Sequence, residues 1–140
     1  MYAAGGYFVV DASLWVARLV PQDAFHIPVK NWLEAQRQRS AIFLSPSLLL
    51  PEVSGAISRR TGDPVLAAQA CSALENLPGL RLVGMDQDLV IMAARLAAEL
   101  GLRGADSLYA AVAARLDLPL VTLDEDQRHR AAVRLQVQSV

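Results

Sequence analysis

Cysteine, histidine and lysine are scarce in this chain of 140 residues. The single cysteine, Cys71, excludes an intrachain disulfide and a thiolate zinc cluster, and its Ala/Leu surroundings predict a small core residue. Neither His26 nor His129 has a second His or Cys at ligand spacing, so neither is expected to bind a metal. With Lys30 as the only lysine, arginine carries almost all of the positive charge.

The chain also lacks a charge excess and any apolar run of membrane-spanning length. A formal net charge of −1 provides no basic field to attract nucleic acid, which weakens the hypothesis of a simple nucleic-acid-binding module. A signal peptide is not expected, since Asp11 interrupts the first apolar stretch and no basic leader precedes it, so we expect a cytoplasmic protein. The composition, 54% hydrophobic and 19% charged, suits one domain over residues 1–140, with residues 1–6 as an extension.

Short apolar runs alternate with helical patterns along the chain. Strands are predicted at 7–10, 41–44, 80–83, 118–123 and 134–138. Helices are predicted at 11–20, 28–39, 45–60, 63–77, 86–100, 104–116 and 124–132. Pro51 favours either a late start of its helix near Leu50 or a kink. Continuously apolar strands separated by helices predict a parallel sheet covered on both faces, in a three-layer α/β/α sandwich.

Four acids occupy special places in this pattern. Asp11 and Asp124 follow strands, whereas Glu52 and Asp106 lie in the first turns of helices. In open parallel sheets, sites form in the crevice beyond the carboxyl ends of the strands. Crowded carboxylates raise one another's pKa, and a hard divalent cation such as Mg²⁺ or Mn²⁺ removes that cost. Such a site suits phosphodiester hydrolysis by metal-activated water, with one ion or two.

Each acid also has a local explanation. Asp is a favoured N-cap, and a first-turn acid complements the helix dipole by roughly 0.3–1 kcal/mol. By this interpretation Asp106 and Asp124 are caps and Glu52 faces solvent, just as Asp86 caps a later helix. Asp11 is the hardest to explain locally, because an apolar strand delivers it to the sheet edge. Spacing alone leaves both alternatives open.

The segments that carry these acids resemble the motifs of the PIN-domain family, and most closely its VapC-type toxins from toxin–antitoxin pairs. VVDAS at 9–13 resembles the first motif, and PSLLLPEVSGAISRR at 46–60 resembles the second. GLRGADSLYAAVAARLDLPLVTLDED at 101–126 resembles the third and fourth motifs run together, with a Thr-x-Asp element at Thr122 to Asp124. The four motifs stand in the family's order and cover nearly the whole chain.

The resemblance implies a PIN-like fold, Mg²⁺- or Mn²⁺-dependent endoribonuclease activity, homodimerisation and a cognate antitoxin that covers the site. It implies a set of catalytic and metal-binding acids, namely Asp11, Glu52, Asp106, Asp124 and, as a further ligand, Asp126. It makes Ser13 and Thr122 hydroxyls that orient a carboxylate or a water. The function it implies is a toxin that cuts RNA; the alternatives are a PIN nuclease of RNA processing and a catalytically silent binding module.

Further residues have two interpretations each. Four arginines near the motifs either hold RNA phosphates or are solvated helix residues: Arg18, Arg59, Arg60 and Arg103. The helices within 12–60 carry more apolar surface than a small sheet needs, and part of it is predicted to form an antitoxin groove. The residues are Leu14, Trp15, Leu19, Phe25, Trp32, Leu48 and Leu49. A phosphoacceptor receiver domain would share the acidic pocket, but it needs a late lysine and Lys30 lies early.

Overall fold

The computed structural model describes residues 5–140, and these form a five-stranded sheet in the order β3-β2-β1-β4-β5 with every pair parallel. The strands are β1 (Tyr7–Val10), β2 (Ile42–Pro46), β3 (Leu80–Val83), β4 (Leu120–Val121) and β5 (Val137–Gln138). The helices are α1 (Ala12–Leu19), α2 (His26–Gln38), α3 (Leu49–Thr61), α4 (Pro64–Glu75), α5 (Gln87–Leu100), α6 (Gly104–Leu116) and α7 (Glu125–Ala131). Of the extension suggested at residues 1–6, residues 1–4 lie outside the described part.

The centre of the sheet is buried on both faces. Val9 and Val10 of β1 point to opposite faces and neither has any solvent exposure, and the same holds for Leu120 and Val121 of β4. Neighbouring strand residues can both be buried only where helices cover the two sides. The predicted α/β fold with a parallel sheet is therefore confirmed.

Helix α1 is anchored on the sheet through Trp15. The Trp15 ring packs edge-on against Phe43, with 5.9 Å between the ring centroids, and its indole N–H donates to Ser45 Oγ at 3.2 Å. Ser45 Oγ in turn donates to the Val10 carbonyl at 2.6 Å. Trp15, like Leu14 and Leu49, is thus a core residue. Leu14 and Leu49 have no solvent exposure and belong to the sheet packing, so they are not part of the predicted groove, whereas Trp15 also lines a cavity between α1, α2 and α4.

The region around Pro51 differs from the predicted boundaries. Ser45 and Pro46 do not open a helix, because they continue β2 and pair with Leu82 and Val83 of β3. Helix α3 begins at Leu49, so Pro51 is its third residue, where a missing N–H costs no intrahelical hydrogen bond. The late start is confirmed, and the helix needs no kink.

Two other aspartates cap helices away from the centre of the sheet. Asp63 accepts from the N–H groups of Val65 and Leu66, and Asp86 accepts from that of Leu89 at 2.8 Å. Both caps agree with the prediction. No helix within residues 5–140 is long and apolar enough to cross a membrane.

The order of the strands creates one crevice beside β1. From β1 the chain builds β2 and β3 on one side, and later adds β4 and β5 on the other. Such a reversal of direction opens a crevice beyond the carboxyl ends of the two central strands. The Asp11 N–H donates to the Val121 carbonyl at 3.0 Å, so the residues that follow β1 and β4 meet there.

Candidate metal centre

Asp11 lies at the bottom of this crevice. It caps α1 as predicted, and only 5% of its surface is exposed. Its Oδ2 accepts from the Ser13 N–H and the Thr122 hydroxyl, each at 3.2 Å. Burial raises the pKa of Asp11 even though these hydrogen bonds lower it. A buried carboxylate of this kind favours either a proton or a cation.

Glu52 faces the crevice from the first turn of α3. It is half-buried, and its Oε1 accepts a short hydrogen bond of 2.6 Å from the hydroxyl of Tyr109, a fully buried residue of α6. Burial raises the pKa of Glu52, the Tyr109 hydrogen bond opposes the shift, and the charge of Asp11 adds to it. Sequence reasoning missed Tyr109, because it resembles any other core residue in an Ala-rich helix.

Asp106, in the first turn of α6, experiences the charges of all the other three acids. Its pKa is raised to about 6, first by burial and then by Asp11, with Asp124 and Glu52 acting in the same direction and Arg103 opposing. The four acids proposed from the sequence are therefore close enough to repel one another. Their assignment as metal ligands stays a prediction.

Asp124 and Asp106 pair with the same arginine, Arg103. It caps α7 by accepting from the Gln127 N–H at 3.0 Å. Arg103 donates from Nη2 to Asp124 Oδ2 at 2.9 Å, while its Nε lies 3.4 Å from Asp106 Oδ2. The Arg103 side chain is 72% exposed, so it spans the two carboxylates from the solvent side. It acts as a counter-cation for this half of the crevice.

Thr122 and Ser13 hold the acids in place from behind. Thr122 Oγ1 accepts from the Asp124 N–H at 3.1 Å and contacts Asp11, so one hydroxyl touches two of the four acids. Ser13 Oγ accepts from the Leu123 N–H at 3.1 Å and ties α1 to the turn after β4. Both hydroxyls thus lie where they can orient a carboxylate.

Gln127 is a buried neighbour of this network that the sequence did not reveal. Its Oε1 lies 2.9 Å from Thr122 Oγ1, and its Nε2 is buried with no hydrogen-bond partner within residues 5–140. Amide oxygen and nitrogen are interchangeable in such assignments. If the Gln127 amide is turned over, its N–H donates to Thr122 Oγ1, and the Thr122 hydroxyl can then donate its own proton to Asp11.

The chemistry of this donor set fits a hard divalent cation. Carboxylate oxygens are the ligands that Mg²⁺ and Mn²⁺ prefer. Burial raises the pKa of Asp11, Glu52 and Asp106, and the charges of neighbouring acids add to the shift at Glu52 and Asp106. Across residues 5–140, however, no three His, Cys, Asp or Glu side chains are arranged to hold one ion. Arg103 pairs with Asp106 and Asp124 instead, so ion binding at these two acids requires the arginine side chain to turn away.

Asp126 lies apart from the other acids. Its carboxylate pairs with Arg130 one turn later on α7 at 2.9 Å, and its side chain is 62% exposed. It makes no contribution to the raised pKa of Asp106. The structure therefore does not bring the proposed further ligand to the crevice.

The four arginines fall into two groups. Arg103 contacts the acids, and Arg60 lines the same cavity as Glu52 and Asp124, where it pairs with Asp23 at 2.6 Å. Arg18 instead lines a separate cavity between α1, α2 and α4, and Arg59 is an exposed residue in the last turn of α3. Only the first two are placed to meet a substrate at the acids.

The chain belongs to the PIN domain family, whose model matches residues 8–133. Solved structures share its fold at low sequence identity. VapC20 from Mycobacterium tuberculosis, described as a toxin that cleaves the sarcin–ricin loop, has 21% identity and a TM-score of 0.76, with 91% of this chain and 95% of that chain covered.

Two structures of toxin–antitoxin pairs are also similar. VapBC2 from Rickettsia felis, bound to a DNA fragment from the promoter, has 15% identity and a TM-score of 0.72, covering 95% of this chain and 98% of that one. VapBC-5 from M. tuberculosis has 23% identity and a TM-score of 0.57, covering 96% and 97%. No curated protein matches the chain by sequence.

Proposed function

We propose that this chain is a metal-dependent endoribonuclease, the toxin of a toxin–antitoxin pair, formed by one nuclease domain. The observation that carries the proposal is the convergence of Asp11, Glu52, Asp106 and Asp124 on one crevice, where the charges of the other three acids add to burial in raising the pKa of Asp106. Helix capping explains single acids, but it does not explain why carboxylates from four different elements meet at one place, an arrangement that a cation would stabilise. Membership of the PIN domain family supports this interpretation.

The four acids would hold Mg²⁺ or Mn²⁺ in the crevice. When bound, the ion supplies an activated water and offsets negative charge on the phosphodiester. Asp11 is held in place for this role by the Ser13 N–H and the Thr122 hydroxyl, and Glu52 is held by Tyr109. These contacts fix the carboxylates before the substrate arrives, which lowers the cost of organising the site.

Arg103 would change partners when the cation enters. In the metal-free protein its guanidinium neutralises Asp106 and Asp124. With a cation bound, Arg103 would no longer be needed at these two acids. Its exposed guanidinium, whose planar set of donors suits a phosphate, would then be free to contact the RNA. One residue would thus stabilise the empty site and hold the substrate in the loaded one.

The expected protein partner is a cognate antitoxin, with a second copy of the chain as a homodimer partner. The similar VapBC structures are toxin–antitoxin systems, which supports a partner of this kind. A cavity of about 240 Å³ between α1, α2 and α4 suits an apolar segment, with Leu19 and Leu33 in its walls and Arg18 and Arg37 at its edge. If a co-expressed antitoxin left amide exchange in α1 and α2 unchanged, this placement would be wrong. The proposed compartment is the cytoplasm, where RNA is available.

The proposed activity is tested by incubating the purified protein with RNA in Mn²⁺ and, in parallel, in EDTA. Cleavage in Mn²⁺ that stops in EDTA and returns with added Mg²⁺ or Mn²⁺ is the expected result. Equal cleavage in both conditions would point to a contaminating ribonuclease and refute the metal-dependent mechanism. Duplex DNA serves as the control substrate and should remain intact.

A further inference from the structure

We propose that a cavity next to the four acids binds one unpaired nucleobase of a single-stranded RNA, with Phe25 as the stacking surface. The inference rests on the proposed ribonuclease function and adds to it the class of substrate and the residue that receives it. It is carried by the position, exposure and support of Phe25.

The cavity and the acidic crevice share a wall. The cavity has a volume of about 450 Å³, which is in the range of sites for small ligands, and Ser13, Glu52 and Asp124 line it. Phe25, Asp23 and Arg60 line it as well, and the remaining walls are small or aliphatic side chains. A nucleotide next to a phosphodiester held at the acids would enter this space.

Phe25 is the most solvent-exposed aromatic residue within residues 5–140. Half of its surface, 51%, is exposed, whereas Trp15 and Phe43 are buried at about 2%. The ring stands at the start of α2, in the loop that follows α1. An exposed aromatic ring beside a polar crevice is a common way to receive a flat apolar surface.

The loop that carries Phe25 is held firmly by Asp23. Asp23 Oδ1 accepts from the Phe25 N–H at 2.8 Å, and Asp23 Oδ2 accepts from Arg60 Nη1 at 2.6 Å. Burial of Asp23 opposes ionisation, but the Arg60 and Phe25 hydrogen bonds lower its pKa overall. His26 adds a hydrogen bond from Nδ1 to the Ala17 carbonyl at 2.8 Å. The backbone position of Phe25 is therefore built into the fold.

A single-stranded nucleic acid fits these features best. Every base has a π-face, but only an unpaired base can turn that face toward a protein ring. The Arg60 side chain is 49% exposed although it pairs with Asp23, so its outer edge is available to a backbone phosphate at the rim. Phe25, the Arg60 guanidinium and the carboxylates of Glu52 and Asp124 thus line one cavity that a single strand can enter.

The test measures binding of a short, fluorescently labelled oligoadenylate by anisotropy, in EDTA and in an Asp11→Asn background, so that no cutting occurs. Phe25→Ala should weaken binding about tenfold, as expected for loss of one base–aromatic stack. Phe25→Trp should restore it, whereas Phe25→Leu, which is apolar without a π-face, should not. Ile27→Ala is the matched control, since Ile27 is 60% exposed two residues away and does not line the cavity.

An abasic position identifies the stacked base. When the abasic site is moved along the oligonucleotide, it should weaken binding to the protein with Phe25 intact about tenfold at one position. At that position it should have no further effect on binding to the Phe25→Ala variant. Purely additive effects, equal binding by Phe25→Ala and Ile27→Ala, or no binding by the parent would each overturn the inference. Loss of antitoxin binding with RNA binding unchanged would assign the cavity to a protein segment instead.

The same set of proteins separates this inference from the proposed function. If Asp11→Asn cuts RNA as well as the parent chain does, the proposed metal mechanism fails whatever Phe25 does. If Asp11→Asn is inactive and Phe25→Ala binds RNA normally, the nuclease stands and the stacking site is wrong. In the cutting protein, Phe25→Ala should raise KM about tenfold with little change in kcat.

Discussion

Two pairs of helix-capping aspartates show what makes the crevice different from the rest of the molecule. Asp11 and Asp124 cap helices beside β1 and β4, whereas Asp63 and Asp86 cap helices elsewhere, and all four accept hydrogen bonds from backbone N–H groups. Hydrogen bonds from Arg115 lower the pKa of Asp86, whereas burial raises that of Asp11. Aspartates therefore cap helices in both regions, but within residues 5–140 only at the crevice beside β1 and β4 do buried carboxylates lie close together.

The largest change in RNA cleavage should come from replacing the capping acid Asp11 at the crevice, compared with a capping acid elsewhere. Asp11→Asn keeps a residue that caps a helix well but removes the charge, so we expect RNA cleavage to fall about a thousandfold, equivalent to several kcal/mol of lost transition-state stabilisation. Asp63→Asn, the matched control, should cut RNA normally. Initial rates in Mn²⁺ measure both, and comparable rates for the two variants would remove the distinction between the regions.

Gln127→Leu tests the support behind the acids. Leucine has a similar volume and leaves no unpaired amide atom in either orientation of the side chain, so the free energy of unfolding should change little. With the amide turned so that its N–H donates to Thr122, Gln127 directs the Thr122 hydroxyl toward Asp11, so its loss should lower the Mn²⁺ affinity about tenfold. Calorimetric titration with Mn²⁺ and urea unfolding together decide this. An unchanged affinity, or a loss of affinity that only follows a loss of stability, would contradict a positioning role.

Arg103→Ala should change two affinities in opposite directions. Removing the guanidinium frees Asp106 and Asp124, so Mn²⁺ should bind about fivefold more tightly, in keeping with the modest strength of exposed ion pairs. The KM for RNA should rise, because a phosphate contact is lost. Arg115→Ala, which removes the partner of Asp86, is the control and should change neither value. Weaker metal binding in Arg103→Ala would show that the arginine is not a counter-cation.

The smallest effect concerns the pH dependence of the metal-free protein. The pKa of Asp106 is about 6 in the folded chain and about 3.8 unfolded, so folding favours its protonated form. Stability from this group is fully present below about pH 4 and is lost as the pH rises through 6. Carboxylates with lowered pKa, such as Asp23, are ionised in both states over this window. Urea unfolding in EDTA between pH 4.5 and 7 should show a decline that is smaller in Asp106→Asn; an equal decline would contradict the shift.

The order of the elements could be predicted from the sequence because it follows from local patterns. Local patterns left the four acids open between caps and ligands, and the resemblance to the PIN-domain family selected the set that the structure brings together. An apolar strand ending in Asp11 marks the sheet edge, and parallel strands bring such edges together. Pro51 indicated the late start of α3 correctly, whereas Ser45 and Pro46 were wrongly assigned to that helix, because they continue a strand through pairing with β3 that no local pattern reveals.

The residues that support the acids could not be predicted from the sequence, for a physical reason. Tyr109 and Gln127 contact the acids across the fold or from inside a helix, and their neighbours in sequence are ordinary helix residues. Phe25 was interpreted as part of an apolar groove, and only the tertiary structure places it beside Glu52 and Asp124. Contacts between distant segments, rather than residue types, distinguish these positions.

Calorimetric titration of Mn²⁺ at pH 7 tests most directly whether the four acids form one metal centre. The unaltered chain should bind Mn²⁺ and gain about 2.7 kcal/mol of stability at a free concentration a hundred times the Kd. Asp11→Asn, Glu52→Gln, Asp106→Asn and Asp124→Asn should each lose most of that affinity, while Asp63→Asn and Asp86→Asn should retain it. Absence of binding by the unaltered chain, or the same loss in Asp86→Asn as in Asp106→Asn, would contradict the account.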